Sequence, residues 1–140
     1  MCGIAGIIGP NATPEIVSRM LYAQRHRGPD ATGKFCDTDI ALGHNRLSII
    51  DLSENANQPF YSQDENHILV YNGEIYNYLE LRDALKKYHT FQTSSDTEVL
   101  LAAYMHWGED CVHHFNGMFS CAIWNRKTKE LFVARDRFGV

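Results

Sequence analysis

Segments typical of β-strands follow one another in runs along this chain and do not alternate strictly with helices. This order favours an α+β fold with antiparallel sheets over a repeated βαβ arrangement. The first segment, GIAGII, is expected to be buried on both faces, and the last two are expected to form a hairpin. The predicted strands are residues 3–8, 40–51 (as one or two strands), 67–74, 89–93, 117–125 and 130–135.

Three helices are predicted between these strands because each has a start signal. Thr13-Pro14-Glu15 combines a cap, a first-turn proline and an acid near the positive end of a helix that stops near a loop at 25–33. The other two begin with capping-box pairs, and at least two helices must cover sheet faces. These pairs are Asn77 with Glu80 in the helix at 77–88 and Ser95 with Glu98 in the helix at 94–108, which ends at Gly108.

The totals indicate one globular domain over residues 1–140. Apolar residues are 44% and charged residues 21%, so the chain can bury a core and disorder is not expected. The net charge is −4 with both signs interspersed, and no basic stripe or membrane-length apolar run occurs. These features argue against nucleic-acid and membrane partners. The end at Val140, directly after a strand and a turn, is interpreted as a truncation point.

Cysteine and histidine usage gives no sign of a metal site. The four cysteines and seven histidines have no metal-ligand spacing, and no Cys-x-x-Cys pair is present. The first ten residues lack the basic region of a signal peptide, so a reducing cytoplasm is predicted and disulfides are not.

Cys2 has two interpretations. It is either a small buried thiol beside a strand, or a nucleophile at the chain end. Removal of Met1 is expected because the next residue is small, and Cys2 would then carry a free α-amine. An α-amine has a pKa of about 7.7–8.0, so it can act as the base for the neighbouring thiol.

Asn72-Gly73, within YNGE, is first of all a hairpin-turn signal. A turn of that kind predicts a second strand, yet the following segment has the pattern of a capped helix. The alternative is that the Asn72 side-chain amide and the Gly73 N–H stabilise a developing oxyanion. The sequence leaves both interpretations open.

Three charged residues are further candidates. Arg46 lies within an apolar strand. Its guanidinium could bind a substrate carboxylate, form a structural salt bridge, or face solvent from the strand. Asp96 lies in a helix first turn, where acids are routine, and it could instead hold a substrate ammonium. Glu74 is a weaker candidate of the same kind.

The motifs together closely resemble the glutamine-hydrolysing half of asparagine synthetases, which are class II glutamine amidotransferases with N-terminal-nucleophile folds. The resemblance covers essentially the whole chain. It rests on Cys2-Gly3-Ile4, HRGPD, GHNRLSIID, YNGEIYN, SDTEV and RDRFG in this order. It implies a four-layer αββα sandwich with antiparallel sheets, incomplete at the C-terminus.

The resemblance also implies residue roles in hydrolysis of glutamine to glutamate and ammonia through a thioester. Cys2 would attack the side-chain amide, and Asn72 with Gly73 would stabilise the oxyanion. Arg46 would bind the substrate carboxylate and Asp96 its ammonium, with Glu74 nearby. Backbone groups around Ile49 and Ile50 would line the pocket.

No cofactor is implied for these 140 residues. ATP and magnesium are expected only in a synthetase domain, which would use the ammonia to make asparagine from aspartate and is absent here. A homodimer stays open for the full-length protein. Two alternatives also stay open: a related amidotransferase with another acceptor, and a non-catalytic remnant that binds glutamine.

Overall fold

The computed structural model describes residues 2–50 and 53–140 and contains two antiparallel sheets. The expected loss of Met1 and the expected strand position of Asp51 lie outside the described residues. The smaller sheet has the order β1-β3-β2 and the larger the order β4-β5-β6-β7. The strands are β1 (Gly3–Ile8), β2 (Ala31–Asp37), β3 (Ile40–Arg46), β4 (Phe60–Tyr61), β5 (His67–Ile75), β6 (Gly117–Asn125) and β7 (Glu130–Arg135).

The helices cover the outer faces of these sheets. Helix α1 (Pro14–Ala23) contacts all three strands of the smaller sheet, and α3 (Asp96–Trp107) contacts β5 of the larger one. Helix α2 (Tyr78–Leu85) packs on α3. The layers are therefore helix, sheet, sheet and helix pair, which confirms the αββα prediction. Short 3₁₀ helices lie at Arg25–Arg27, Glu54–Ala56 and Gly108–His114.

An apolar cluster joins the two sheets. Side chains alternate between the faces of a strand, so Ile40 and Leu42 of β3 point toward Ile68 and Val70 of β5, with Trp124 of β6 beside them. The intervening Ala41 faces α1. A larger cluster between β5, β6 and the helices α2 and α3 forms the main core. The two central strands thus have one face toward each other and one toward a helix.

The helix starts were predicted with different success. Thr13 caps α1 by accepting from the Ile16 N–H, and Ser95 caps α3 by accepting from the Glu98 N–H, as predicted. The reciprocal half of the Ser95–Glu98 capping box was wrong, because the Ser95 N–H donates to Thr93 Oγ1. The capping-box role of Asn77 was wrong. Its amide instead donates to the His114 carbonyl and accepts from the Asn116 N–H, which ties the start of α2 to the segment before β6.

One predicted strand does not form, and one strand forms where a loop was predicted. Residues 89–93 are irregular because the carboxylate of Glu98 accepts the backbone N–H groups of Gln92 and Thr93, which a strand would have used in a ladder. The loop expected at 25–33 becomes β2 from Ala31 onward, since that segment pairs with β3 along its whole length.

Strand β1 and the turn interpretation of Asn72-Gly73 need correction as well. β1 forms where predicted, but it is an edge strand, and Gly6 and Ile8 are exposed, so its burial on both faces was wrong. Asn72 and Gly73 lie within β5, paired with Ser120 and Phe119 of β6. β3 ends at Arg46, and residues 49–50 form a bend.

Among the described residues, no helix is both long and apolar enough to cross a membrane.

Candidate active site

A pocket of about 160 Å³ opens where the ends of β1, β3 and β5 approach the first turn of α3. It brings together seven of the eight residues singled out from the sequence, although they are spread over almost one hundred positions. These seven are Cys2, Arg46, Ile49, Ile50, Gly73, Glu74 and Asp96.

Asn72, the eighth residue, does not line this pocket. Its side chain lies on the same face of β5 as Val70, toward the space between the sheets. Its Oδ1 is buried and has no hydrogen-bond partner among the described residues. The Asn72 side chain is therefore directed into the inter-sheet layer, and its neighbour Gly73 lines the pocket.

Hydrogen bonds hold both the side chain and the backbone of Cys2. Its Sγ accepts a hydrogen bond from the Leu47 N–H at 3.3 Å, and it lies 3.6 Å from the Leu47 carbonyl oxygen. The Arg27 side chain donates from Nε to the Cys2 carbonyl at 3.0 Å. The thiol is half-buried on the pocket wall, and these contacts fix its position at the start of β1.

The other three thiols are differently placed. Burial raises the pKa of Cys111 and of Cys121 to about 12, so both remain protonated and unreactive at neutral pH. Cys36 is exposed on β2 and does not line the pocket. Among the described residues, Cys2 alone therefore offers a thiol to a molecule bound there.

The HRGPD motif acts as a brace for the pocket walls. Besides the Arg27 contact, Asp30 accepts from the Ser48 N–H at 2.8 Å and donates its own N–H to the Arg46 carbonyl. Gly28 packs so closely on the backbone of β3 that an added Cβ would collide with Asn45. The motif thus ties the segment after β3 to the carbonyl of Cys2.

Arg46 is buried, with 8% of its surface exposed, and it borders the pocket. Its Nη1 donates to the Ser53 carbonyl at 2.8 Å and to Asn57 Oδ1 at 2.7 Å. The solvent-facing interpretation of Arg46 was therefore wrong. The guanidinium is anchored by the following loop, and this anchoring holds a positive charge at one end of the pocket.

Asp96 supplies negative charge at another wall. Its Oδ2 accepts from the Tyr71 hydroxyl at 2.7 Å and from the Ile75 N–H at 3.1 Å. Burial raises the pKa of Asp96, and these two donors oppose that shift. Glu74 is exposed at the rim. The pocket therefore offers a thiol, a guanidinium and a carboxylate around one small volume, a set that suits an α-amino acid.

Gly73 is required by its own strand pair. An added Cβ would collide with the Met118 carbonyl and the Phe119 Cα of β6. The backbone at Gly73 can therefore come closer to its surroundings than any other residue would permit.

A family described as glutamine amidotransferase domain matches residues 1–140. The chain belongs to this family. Asparagine synthetase (glutamine-hydrolysing) 1 of Bacillus subtilis is 44% identical over 147 residues, which cover 100% of this chain and 23% of that protein. A putative asparagine synthetase (glutamine-hydrolysing) 2 of Methanocaldococcus jannaschii is 44% identical over 160 residues, covering 100% and 31%.

The amidotransferase domain also resembles proteins with other names. Amidase chyE of Penicillium rubens is 44% identical over 115 residues, which cover 82% of this chain and 17% of that protein. The fold matches that of glutamine phosphoribosylpyrophosphate amidotransferase from B. subtilis with a TM-score of 0.82 and 24% identity, over 99% of this chain and 38% of that one. This likeness shows that the two share the layered αββα fold. The domain spans about a quarter of the length of the first relatives.

Several residues of the candidate site were missed by sequence analysis. Gln58 and Tyr71 line the pocket, and Arg27 holds Cys2. Tyr71 is the first residue of the YNGE motif and directly precedes Asn72, which was singled out from the sequence. Gln58 lies outside every predicted helix and strand, and no local pattern around it signals a function. Among the described residues, no group of three His, Cys, Asp or Glu side chains is placed to hold a metal ion.

Proposed function

We propose that this domain hydrolyses glutamine to glutamate and ammonia with Cys2 as the nucleophile. The observation that carries the proposal is the convergence of the Cys2 thiol, the Arg46 guanidinium and the Asp96 carboxylate on one pocket. Free amino acids carry a carboxylate and an ammonium at fixed spacing, and two opposite charges in one pocket can orient both groups. The side-chain amide of glutamine then extends toward the thiol.

The reaction proceeds in two halves. Once Met1 is removed, the α-amine of Cys2 takes the thiol proton while the sulfur bonds to the amide carbon of glutamine. The resulting tetrahedral oxyanion collapses, the C–N bond breaks, and the amine returns the proton to the departing ammonia. Water then attacks the thioester, with the same amine as base, and glutamate leaves with the Cys2 thiol restored.

The oxyanion is stabilised from β5. Residues of odd number in this strand direct their backbone groups away from β6, as shown by the Tyr71 N–H bond to Gln58 and the Ile75 N–H bond to Asp96. The two-residue period therefore directs the Gly73 N–H to the same side, where Gly73 lines the pocket. The Asn72 amide is the second donor in this proposal.

In the full-length protein, the ammonia supports ATP-dependent synthesis of asparagine from aspartate, in a region outside these 140 residues where ATP and magnesium bind. The asparagine synthetases that cover the whole chain at 44% identity support this acceptor. A different acceptor is the second candidate, favoured by the similarity to Amidase chyE. The four free cysteines support a reducing cytoplasm as the location.

The test uses the purified full-length protein. We expect an intact mass that lacks Met1, and release of ammonia and glutamate from glutamine. Cys2→Ser should lower this release by about a thousandfold or more, because the thioester no longer forms. Cys36→Ser is the matched control, since its exposed thiol lies off the pocket, and it should keep wild-type activity.

Undiminished activity of Cys2→Ser would overturn the proposed nucleophile. Glutamine binding without turnover by the wild type would favour a non-catalytic remnant. Adding aspartate, ATP and Mg²⁺ then separates the acceptors, since asparagine forms only if aspartate takes the ammonia.

A further inference from the structure

The backbone of Tyr71 has unusual partners for a residue in the middle of a strand. Its N–H donates to Gln58 Oε1 at 2.6 Å, and His44 Nε2 lies 3.1 Å from its carbonyl oxygen. Both partners are side chains, and both lie on the side away from β6. An ordinary sheet would fill that side with the backbone of a neighbouring strand.

The neighbouring strand is missing there because β4 is only two residues long. Phe60 and Tyr61 pair with Leu69 and Ile68, and the same register would place position 58 opposite Tyr71. The main chain has left the sheet by that point. The side chain of Gln58 accepts the bond that a strand neighbour would have accepted.

Gln58 also reaches the opposite wall of the pocket. Its Nε2 lies 3.5 Å from Thr97 Oγ1 in the first turn of α3, next to Asp96. Only 8% of its surface is exposed. Gln58 therefore connects the free edge of β5 with the helix start that carries Asp96.

His44 fixes the other half of the same position. A carbonyl oxygen only accepts, so Nε2 must carry the imidazole proton and donate it to Tyr71. Burial lowers the pKa of His44 to about 4, with a smaller contribution from the Arg46 charge, so the ring is neutral at pH 7. Nδ1 is buried without a partner among the described residues, and His44 does not line the pocket. Its contact is with the backbone of β5.

We propose that Gln58 and His44 are positioning residues for the oxyanion site: together they replace the absent strand neighbour at Tyr71, and they thereby hold the next outward N–H, that of Gly73, open and directed at the reacting carbonyl. This inference rests on the proposed glutaminase function. His44 holds the carbonyl of the peptide that joins Tyr71 to Asn72, and Gln58 holds the N–H one peptide earlier. Rotation of either peptide would turn the Gly73 N–H away from the pocket.

The test compares His44→Met and Gln58→Met in the full-length protein, because methionine keeps the size of each side chain and removes the hydrogen bond. We expect kcat for glutamine hydrolysis to fall about 10- to 100-fold with KM changed less than about threefold, since a misplaced donor acts on the transition state. His44→Gln retains an N–H donor and should recover most of the lost kcat.

A second readout separates positioning from a general structural role. Alkylation of Cys2 by iodoacetamide needs the thiol but forms no oxyanion, so its rate should equal that of the wild type in both variants. His67→Met is the matched control: this imidazole lies at the far end of β5, where Asn125 Nδ2 is 3.3 Å from its Nε2, and kcat should not change.

Unchanged kcat in both methionine variants would overturn the inference, as would alkylation that slows in parallel with kcat. If His44→Met does not fold, Gln58→Met and the recovery by His44→Gln still decide the question. A wild-type protein that releases no ammonia contradicts the proposed function itself, and this result is distinct from an active wild type with insensitive variants.

Discussion

The two halves of the inter-sheet layer differ sharply, although the same two strands build both. At one end, β3 and β5 direct only aliphatic side chains at each other. At the other end, the same faces of the same strands carry polar and charged groups, and this end borders the pocket. The apolar half comprises Ile40, Leu42, Ile68 and Val70, and the polar half comprises His44, Arg46, Asn72 and Glu74.

The two halves therefore have different roles in the protein. The apolar half removes hydrocarbon from water and holds the sheets together. The polar half contributes less hydrophobic stabilisation, and Asn72 Oδ1 and His44 Nδ1 are two of its buried atoms that have no hydrogen-bond partner among the described residues. Such atoms lower stability wherever they occur, and one of them, Trp124 Nε1, lies beside the apolar half.

The largest effect should come from Asn72→Ala, in the polar half. If Asn72 is an oxyanion donor, as proposed, its loss should lower kcat for glutamine about 10²- to 10³-fold. Val70→Ala is the matched control, because it lies two residues away on the same face of the same strand. It should lower stability and leave kcat near the wild-type value. The measurement is ammonia release. Equal losses of kcat in the two variants would contradict the claim that the polar half, and not the apolar half, contributes to catalysis.

Leu42→Ala should produce the opposite result in the apolar half. Leu42 is 2% exposed, so the substitution leaves a cavity between the sheets and should lower the free energy of unfolding by about 2–5 kcal/mol. Denaturant unfolding measures this loss. We expect kcat/KM at a temperature where the variant is folded to stay within about twofold of wild type; a larger change would show that the two halves are coupled.

The smallest effect is a pH dependence of stability that originates in the polar half. The pKa of His44 is about 4 in the fold, against 6.5 when exposed, so the unfolded chain binds the proton more readily. Its contribution is complete above pH 6.5 and is lost as pH falls toward 4, by about 2 kcal/mol between pH 7 and pH 5. His67, whose pKa burial lowers, acts in the same direction.

His44→Gln should flatten this part of the curve, as measured by urea unfolding at several pH values. A wild-type curve that has no decline over this range would contradict the depressed pKa of His44.

Local signals in the sequence were enough for much of the fold. Thr13 and Ser95 act through the N–H groups three residues later, so the caps of α1 and α3 could be recognised from short patterns. The hairpin of β6 and β7 also depends on neighbouring residues. Strand β2 could not be recognised in the same way, because ATGKFCD has few strand-forming residues and becomes a strand through its pairing with β3.

The candidate site also contains residues that local sequence reveals and residues that it does not. The chemical types of Cys2, Arg46 and Asp96 are visible in the sequence, and the family resemblance placed them in one pocket. The supporting residues are not visible, because Arg27, Gln58 and His44 act on backbone groups 25, 13 and 27 positions away. A hydrogen bond to a distant peptide group leaves no pattern around the residue that makes it.

The contacts around Cys2 have a practical consequence for preparing this protein. Arg27 donates a hydrogen bond to the carbonyl of Cys2, and the Leu47 N–H donates one to its sulfur, so the backbone and the thiol of this residue are both held beside the pocket. A purification tag removed by a protease that leaves one extra residue would convert the proposed amine base into an amide nitrogen. Under the proposed mechanism such a preparation should release no ammonia from glutamine, and a tag on the other end of the full-length protein avoids the problem.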